Sequence, residues 1–437
     1  MRADRRTGGQ AVSGFIAMLT AVALPLTAQV RPAIPSSRLP AGSVRPSAPA
    51  PPGSELTIYV MTMGVGAEVW ERFGHNAIIV EDRSRGTAIA YNYGMFSFRQ
   101  ESFLLRFVQG RMEYWMADEP AEEELPKYRA ARRSVWRQEL NLTPAQRVGL
   151  RDFLSWNALD DNKFYRYDYY RDNCSTRVRD AIDRAVGGAL QAASHGPGSG
   201  NYRSHTLRLV AANRPLYLGL ALIEGQPVDR PITRWDEMFL PVKLRDYVRD
   251  VKVPDSTGAL VPLVKHEETL YESRAYPVPE APPGWSLAFL AIGAVIGGGF
   301  WWGGSTGRSR APGRALLLVG GSFWALLSGV AGTIMAGMWA FTDHAVAARN
   351  ENVLQCSVAA LVLAVALPFA LGDRPWALRT ARGFALLVGG LSLLGLLLKG
   401  LPWFGQANWQ VLAMFVPANL GLMAGVLAWG RNVNGEG

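Results

Sequence analysis

The pattern of hydrophobic positions divides the chain at Trp285. After it come five apolar stretches, near 285–303, 315–340, 353–371, 384–400 and 409–429, each long enough or nearly long enough to cross a hydrocarbon core. No soluble domain needs five such helices in succession. Before Trp285 the apolar residues recur at shorter periods. Residues 55–63 ("ELTIYVMTM"), 76–80 and 87–93 are rich in branched residues or alternate, which predicts three strands. Thr143-Pro144 predicts a cap and first turn ahead of Val148, Leu150, Phe153 and Leu154 at helical spacing. Cys174 opens a further helix, in which Val178, Ile182 and Val186 share a face before Gly187-Gly188 ends it. No internal repeat of recognisable period is present. The pattern predicts an α+β domain of ordinary size followed by an all-α transmembrane bundle of about five helices.

The flanks and charges refine this division. Residues 1–10 carry Arg2, Arg5 and Arg6, and the apolar run 14–26 leads to Leu26-Thr27-Ala28, so residues 1–28 read as a signal peptide. An uncleaved anchor is the competing reading, although the run is short for a span. Residues 29–54 are rich in Pro, Ser and Ala and read as a linker, because they cannot bury enough apolar surface to fold. This leaves 55–284 as the exported domain and 285–430 as the bundle. Arg308, Arg310 and Arg314 fall between the first two spans, Arg374, Arg379 and Arg382 between the third and fourth, and Arg431 after the last. The positive-inside bias assigns these to the cytoplasm. Loops 341–352 and 399–408, with only Arg349 and Lys399, then share a side with the exported domain. Trp285, Trp301, Trp302, Trp339, Trp403 and Trp409 near span ends suit interfacial anchoring. The formal charge of +9 fits a partner with an anionic surface, the lipid bilayer. No aromatic-interleaved basic motif accompanies it, so nucleic acid is not expected.

Candidate chemistry begins with two cysteines. Cys356 lies inside the third predicted span, so Cys174 has no plausible disulfide partner in an exported domain. Cys174 stands at a helix start in "YRYDYYRDNCSTRVRDAID", where unpaired amides and the helix dipole are expected to lower its thiol pKa and make it a nucleophile. A small buried hydrophobe under the helix start is the plainer alternative. Of five histidines, His75 in "ERFGHNAIIV" stands at a strand mouth just after Gly74, where a ring can point into a cleft. His195 in "SHGPGSG" has little to hold it in register. His75 is therefore the preferred base. Asp168 and Asp172 are assigned to loop capping, with Asp172 a possible helix cap. Tyr165, Tyr167, Tyr169 and Tyr170 are expected to pack the domain or sit at headgroup level. His75, Cys174 and His344 offer no close-spaced ligand pair, so neither a metal nor another cofactor is expected.

The order of a strand histidine followed by Asn-Cys opening a helix resembles a circularly permuted NlpC/P60 papain-like fold. More closely, "FGHNAI", "YNYGMFSF", "FVQGRMEYWM", "LNLTPAQ", "YRYDYYRDNCSTRVRDAI" and "MFLP" together resemble the periplasmic domain of the Lnb family of bacterial lipoprotein N-acyltransferases, over roughly residues 55–250. "TDHAVAARNENVL", residues 342–354, is similar to that family's His/Asn-bearing loop between spans.

The resemblance implies an inner-membrane, multi-pass enzyme with its catalytic domain in the periplasm. His75 would take the proton of Cys174, and the thiolate would attack an ester of a membrane phospholipid, the acyl donor. The resulting thioester would acylate the N-terminal amine of a lipoprotein. Amides at the start of the Cys174 helix would hold the oxyanion. Asn92 would orient the imidazole by analogy with papain-like enzymes. His344, Asn350 and Asn352 would receive the headgroup or the incoming amine, although Asn350 and Asn352 equally suit capping of the next span. Two other classes stay open: a cell-wall peptidase or amidase using the same Cys-His pair, and a non-catalytic membrane-anchored binding module.

Overall fold

The computed structural model describes residues 50–307 and 309–433. The expected signal peptide 1–28, residues 29–49 of the linker and Arg308 lie outside the described residues.

In the exported part the chain runs β1 (Leu56–Met63), β2 (His75–Asp82), β3 (Thr87–Met95), α1 (Phe103–Gln109), β4 (Glu113–Pro120), α2 (Glu124–Ala130), β5 (Val135–Leu140), α3 (Pro144–Asn157), β6 (Phe164–Arg166) and α4 (Cys174–Ala185). It continues through α5 (Ala189–Ala193), α6 (Tyr202–Val210), α7 (Arg214–Ile223), α8 (Arg234–Glu237), α9 (Pro241–Asp250), β7 (Lys252–Pro254), β8 (Leu260–Pro262) and β9 (Val264–Tyr271). The predicted strands are present, and β2 begins one residue early, at His75, which pairs with Met63. They form the middle of a seven-stranded antiparallel sheet of order β6-β4-β3-β2-β1-β5-β9.

Alternation along these strands sends side chains to two covered faces. Ile58, Val60, Ile78, Val80, Tyr91 and Tyr93 meet α3, α4 and α9 through Leu150, Leu154, Val178, Ile182, Leu244 and Val248. Met61, Met63, Ala77, Ile79, Ala90 and Val135 meet α2 through Leu125 and Tyr128. Val178 and Ile182 of α4 are fully buried, each contributing ~1.5–3 kcal/mol relative to exposure, and this fixes the helix against the sheet. Pro144 at the start of α3 and the reciprocal bonds between Thr143 and Gln146 confirm the cap expected there.

Among the described residues five helices are long and apolar enough to cross a membrane: Ser286–Thr306, Ala311–Phe341, Glu351–Leu371, Pro375–Gly400 and Trp409–Gly430. The fourth starts earlier than its apolar run suggested. Pro375 supplies a preset first turn, so Arg379 and Arg382 stand on the helix rather than in the preceding loop. The first and fifth spans meet through glycines: a Cβ on Gly421 would lie 2.2 Å from the Cα of Gly297. Such small residues let helix backbones approach where lipid removes the hydrophobic drive for association. Trp324, Asn419, Gln355 and Ser392 join in buried hydrogen bonds across the bundle.

The exported domain rests on the span ends through α7. Asn350 Nδ2 donates to the carbonyls of Leu222 and Ile223 at 2.7 and 2.9 Å, and Asn352 Nδ2 to those of Ala221 and Leu222 at 3.1 and 3.0 Å. These are the carbonyls a helix C-terminus leaves unpaired. The Gly225 N–H adds a bond to Val346 O at 2.7 Å, and a Cβ on Gly225 would collide with Ala348 O at 2.0 Å.

Candidate active site

The start of α4 is set by its cap. Asn173 Oδ1 accepts from the backbone N–H groups of Ser175 and Thr176, each at 2.9 Å, and Thr176 Oγ1 accepts from Asn173 N at 2.7 Å. The cap is thus Asn173 and not Asp172, whose carboxylate turns away to pair with Arg177. That turn removes a negative charge from the neighbourhood of the thiol. Asp168 serves the loop as expected, accepting from Tyr170 N and Arg171 N. Tyr165 and Tyr170 are buried, while Tyr167 and Tyr169 are partly so.

Cys174, first residue of α4, is half-buried where the helix meets β2 and β3. Gly94, with φ +86, is the point of closest approach: a Cβ there would lie 3.0 Å from Cys174 Cβ. Only a residue without a side chain allows β3 to pass so near the helix start. The backbone N–H of Asn76, beside His75, acts on the thiol together with those of Ser175 and Cys174 itself. Asn76 is held in turn by Thr62 and Ser175, at 2.8 and 2.9 Å.

Asn92 lies opposite Ala77 on β3, on the same sheet face as His75. The two side chains meet, with His75 Nε2 3.0 Å from Asn92 Oδ1. Asn92 Nδ2 donates to Glu124 Oε1 at 3.2 Å, and Glu124, buried at the start of α2, lies 3.8 Å from Lys127 Nζ. This chain of contacts sets a tautomer. A carboxylate only accepts, so it draws the amide nitrogen of Asn92 toward α2 and leaves Oδ1 facing the ring. Nε2 then carries the proton, and Nδ1 is the basic nitrogen. Among the described residues the ring's hydrogen bond runs to Asn92 and none runs to the thiol.

The electrostatics reverse the expectation of a dipole-lowered thiol. Burial pushes the Cys174 thiol up to about 11, although the three backbone N–H groups and the Arg133 charge favour the thiolate. Burial also pushes the His75 imidazole down to about 4, opposed by the Asn92 bond and assisted by Arg133. At neutral pH the pair is therefore a thiol beside a neutral imidazole, not an ion pair. Arg133 is buried, anchored by Gly64 O at 2.9 Å and Glu71 Oε1 at 3.2 Å, over the ring of Tyr128. Tyr128 in turn stacks on His75. Glu124, Tyr128 and Arg133 were invisible to sequence reading, since "EELPKYRAARR" looks like a solvated charged face.

His344 is separated from the thiol by tyrosines. Its Nε2 lies 2.8 Å from Phe107 O, and its ring stacks on Tyr169. Tyr169 touches Tyr167, and Tyr167 stacks on Tyr114 at 4.1 Å, both within electrostatic reach of Cys174. Asn350 and Asn352 are buried at α7, away from this row. Among the described residues no group of three or more His, Cys, Asp or Glu is placed to hold a metal ion.

No curated protein and no solved structure matches the chain. Residues 51–213 match the family model of the Lnb N-terminal periplasmic domain, the region that holds His75, Asn92 and Cys174, and five apolar helices follow it. The chain thus carries an α+β domain of the Lnb N-terminal periplasmic type over residues 51–213, followed by five helices long and apolar enough to cross a membrane.

Proposed function

We propose that this protein is an inner-membrane lipoprotein N-acyltransferase that works through a thioester on Cys174. The observation that carries the reading is a helix-start cysteine met by convergent backbone N–H groups, one of them from Asn76, next in sequence to a histidine held by Asn92 with Glu124 behind it, on a domain bound to a five-span bundle. One span would tether a hydrolase, whereas five suit a substrate drawn from the bilayer. In this reading residues 1–28 direct export, 29–54 link, 55–284 carry the catalysis and 285–430 anchor and supply lipid.

Cys174 Sγ attacks the ester carbonyl of a phospholipid as its proton passes to His75 Nδ1. Proton transfer accompanies the attack in this reading, since burial disfavours the charged form of each group at rest. The N–H groups of Asn76, Cys174 and Ser175 stabilise the oxyanion, and Asn92 holds the imidazolium. The ester C–O bond then breaks, and the lysophospholipid oxygen takes the proton from His75. The lipoprotein's N-terminal amine next attacks the thioester, its proton going to His75 and from there to the departing sulfur. One ester and one amine become one amide and one alcohol. No metal or cofactor takes part. His344 faces the donor or the acceptor, and Asn350 and Asn352 serve by keeping its loop in place.

The test is mass spectrometry of lipoprotein N-termini in a strain that lacks its own N-acyltransferase and expresses this chain. An N-acylated terminus is expected. A free amine, or cleavage of soluble muropeptides instead, would overturn the reading in favour of a peptidase.

A further inference from the structure

The exported domain carries an uncovered apolar surface beside the bundle. Leu104, Leu105, Phe107 and Val108 of α1, with Phe98 and Trp70, are exposed by 43% to 73%. Trp70 and Phe98 lie 5.8 Å apart between ring centroids and Phe98 and Phe103 5.2 Å, so these residues make one patch. A contiguous apolar patch of this kind on an otherwise water-facing domain marks an interaction surface.

Its position identifies the partner. The second span ends at Phe341, which is 87% exposed, and two residues later Asp343 N donates to Gln109 O at the end of α1, at 2.9 Å. His344 Nε2 reaches Phe107 O, and Asp343 pairs with Arg111 and Arg166 at 2.9 and 3.0 Å. Gly110, with φ +71, lets the strands of chain close up, since a Cβ there would lie 2.9 Å from His344 N. The end of an apolar span is where hydrocarbon gives way to headgroups, and α1 is bonded to that end. From the patch a row of rings leads inward: Phe103 to Phe96, Phe96 to Tyr114 at 5.1 Å, and Tyr114 to Tyr167 beside Cys174.

We infer that α1, with Phe98 and Trp70, inserts into the periplasmic leaflet of the bilayer that the spans cross, and forms the lip over which a phospholipid acyl chain passes along Phe96, Tyr114 and Tyr167 to Cys174. Apolar side chains enter the acyl boundary, while Arg99, Arg111 and Arg166 stay at headgroup level. Insertion stands on geometry alone, and the route to the thiol rests on the thioester reading above.

Two measurements on the full chain in lipid nanodiscs separate these parts. In a Cys174→Ser background, where Cys356 is buried and unreactive, Leu104→Cys or Val108→Cys carries an environment-sensitive fluorophore, with Leu260→Cys on β8 as the water-exposed control. Brominated phospholipids are expected to quench the probe at 104 and 108 and not at 260. Quenching at 104 and 108 no stronger than at 260 would overturn the insertion. Second, Leu104→Glu with Leu105→Glu, in the otherwise native chain, is expected to slow thioester formation from bilayer phospholipid about tenfold more than from a water-soluble short-chain ester. Equal effects on the two donors would overturn the route. A native chain whose Cys174 reacts with neither donor would count against the thioester, while the quenching result still decides the lip.

Discussion

At the mouth of β2, His75 engages one ring nitrogen with Asn92 and keeps the other available, and Cys174 stands half-buried before three backbone N–H groups. In the loop after the second span, on the same side of the bundle, Asn350 and Asn352 have both donors engaged by α7 carbonyls, and Asn352 Oδ1 accepts from Asn408. Both clusters are polar and largely buried, and both join distant parts of the chain. They differ in what is left over. Full satisfaction makes a polar cluster into a joint, whereas a thiol and a ring lone pair with unmet capacity suit the chemistry proposed for them. The comparison predicts that changes at the cleft remove chemistry with the fold intact, and that changes in the loop remove stability with the thiol still reactive.

The largest effect is expected from Cys174→Ser and His75→Ala, each abolishing acyl transfer while the detergent-solubilised protein keeps its native melting temperature. Native-like acylation by either variant would break the comparison at its first term.

Next comes the thiol's own titration. With its pKa raised from the ordinary 9 to about 11, Cys174 should alkylate about a hundredfold more slowly at pH 7 than an unperturbed thiol, its rate still rising toward pH 11. The imidazole, lowered to about 4, stays unprotonated across the range in which a free histidine gains its proton. Acyl transfer should therefore lose no activity between pH 7 and pH 5 through His75, and fall only toward its depressed pKa. A rate of iodoacetamide labelling that levels off near pH 8 would show that burial does not control this thiol.

Glu124→Ala and Asn92→Ala should each lower kcat on the order of tenfold to a hundredfold, by freeing the imidazole from its tautomer and orientation. Because both act through one contact chain, the double variant should lose little more than Asn92→Ala alone. Additive losses would separate Glu124 from the ring.

Asn352→Leu leaves Ala221 O without its side-chain donor and Asn408 Nδ2 without its acceptor, while Leu222 O keeps Asn350, and should destabilise the domain–bundle joint by about 2 kcal/mol. Limited proteolysis near residues 221–225 should accelerate while Cys174 alkylation holds its native rate. The smallest effect is expected from His344→Ala, a severalfold slowing of transfer to an acceptor peptide with less change in thioester formation. Equal slowing of both steps, measured by trapping labelled phospholipid on Cys174 and then chasing with peptide, would assign His344 to the joint.

What the sequence determined by itself was whatever depends on near neighbours. Apolar runs specify spans because lipid imposes a length, and Asn173 to Thr176 or Thr143 to Gln146 specify helix starts because their hydrogen bonds close within three residues. His75 and Cys174 were legible as a strand mouth and a helix start. Only the tertiary structure decided the rest. The polar β9 joins β5 across more than a hundred residues, a pairing that neither segment announces. Glu124 left a seemingly solvated run to stand behind Asn92, since one face of α2 packs on the sheet through Leu125 and Tyr128. The thiol's pKa went up where the helix dipole alone would send it down, because desolvation depends on everything packed around Cys174, and that is a property of the fold and not of the segment that carries it.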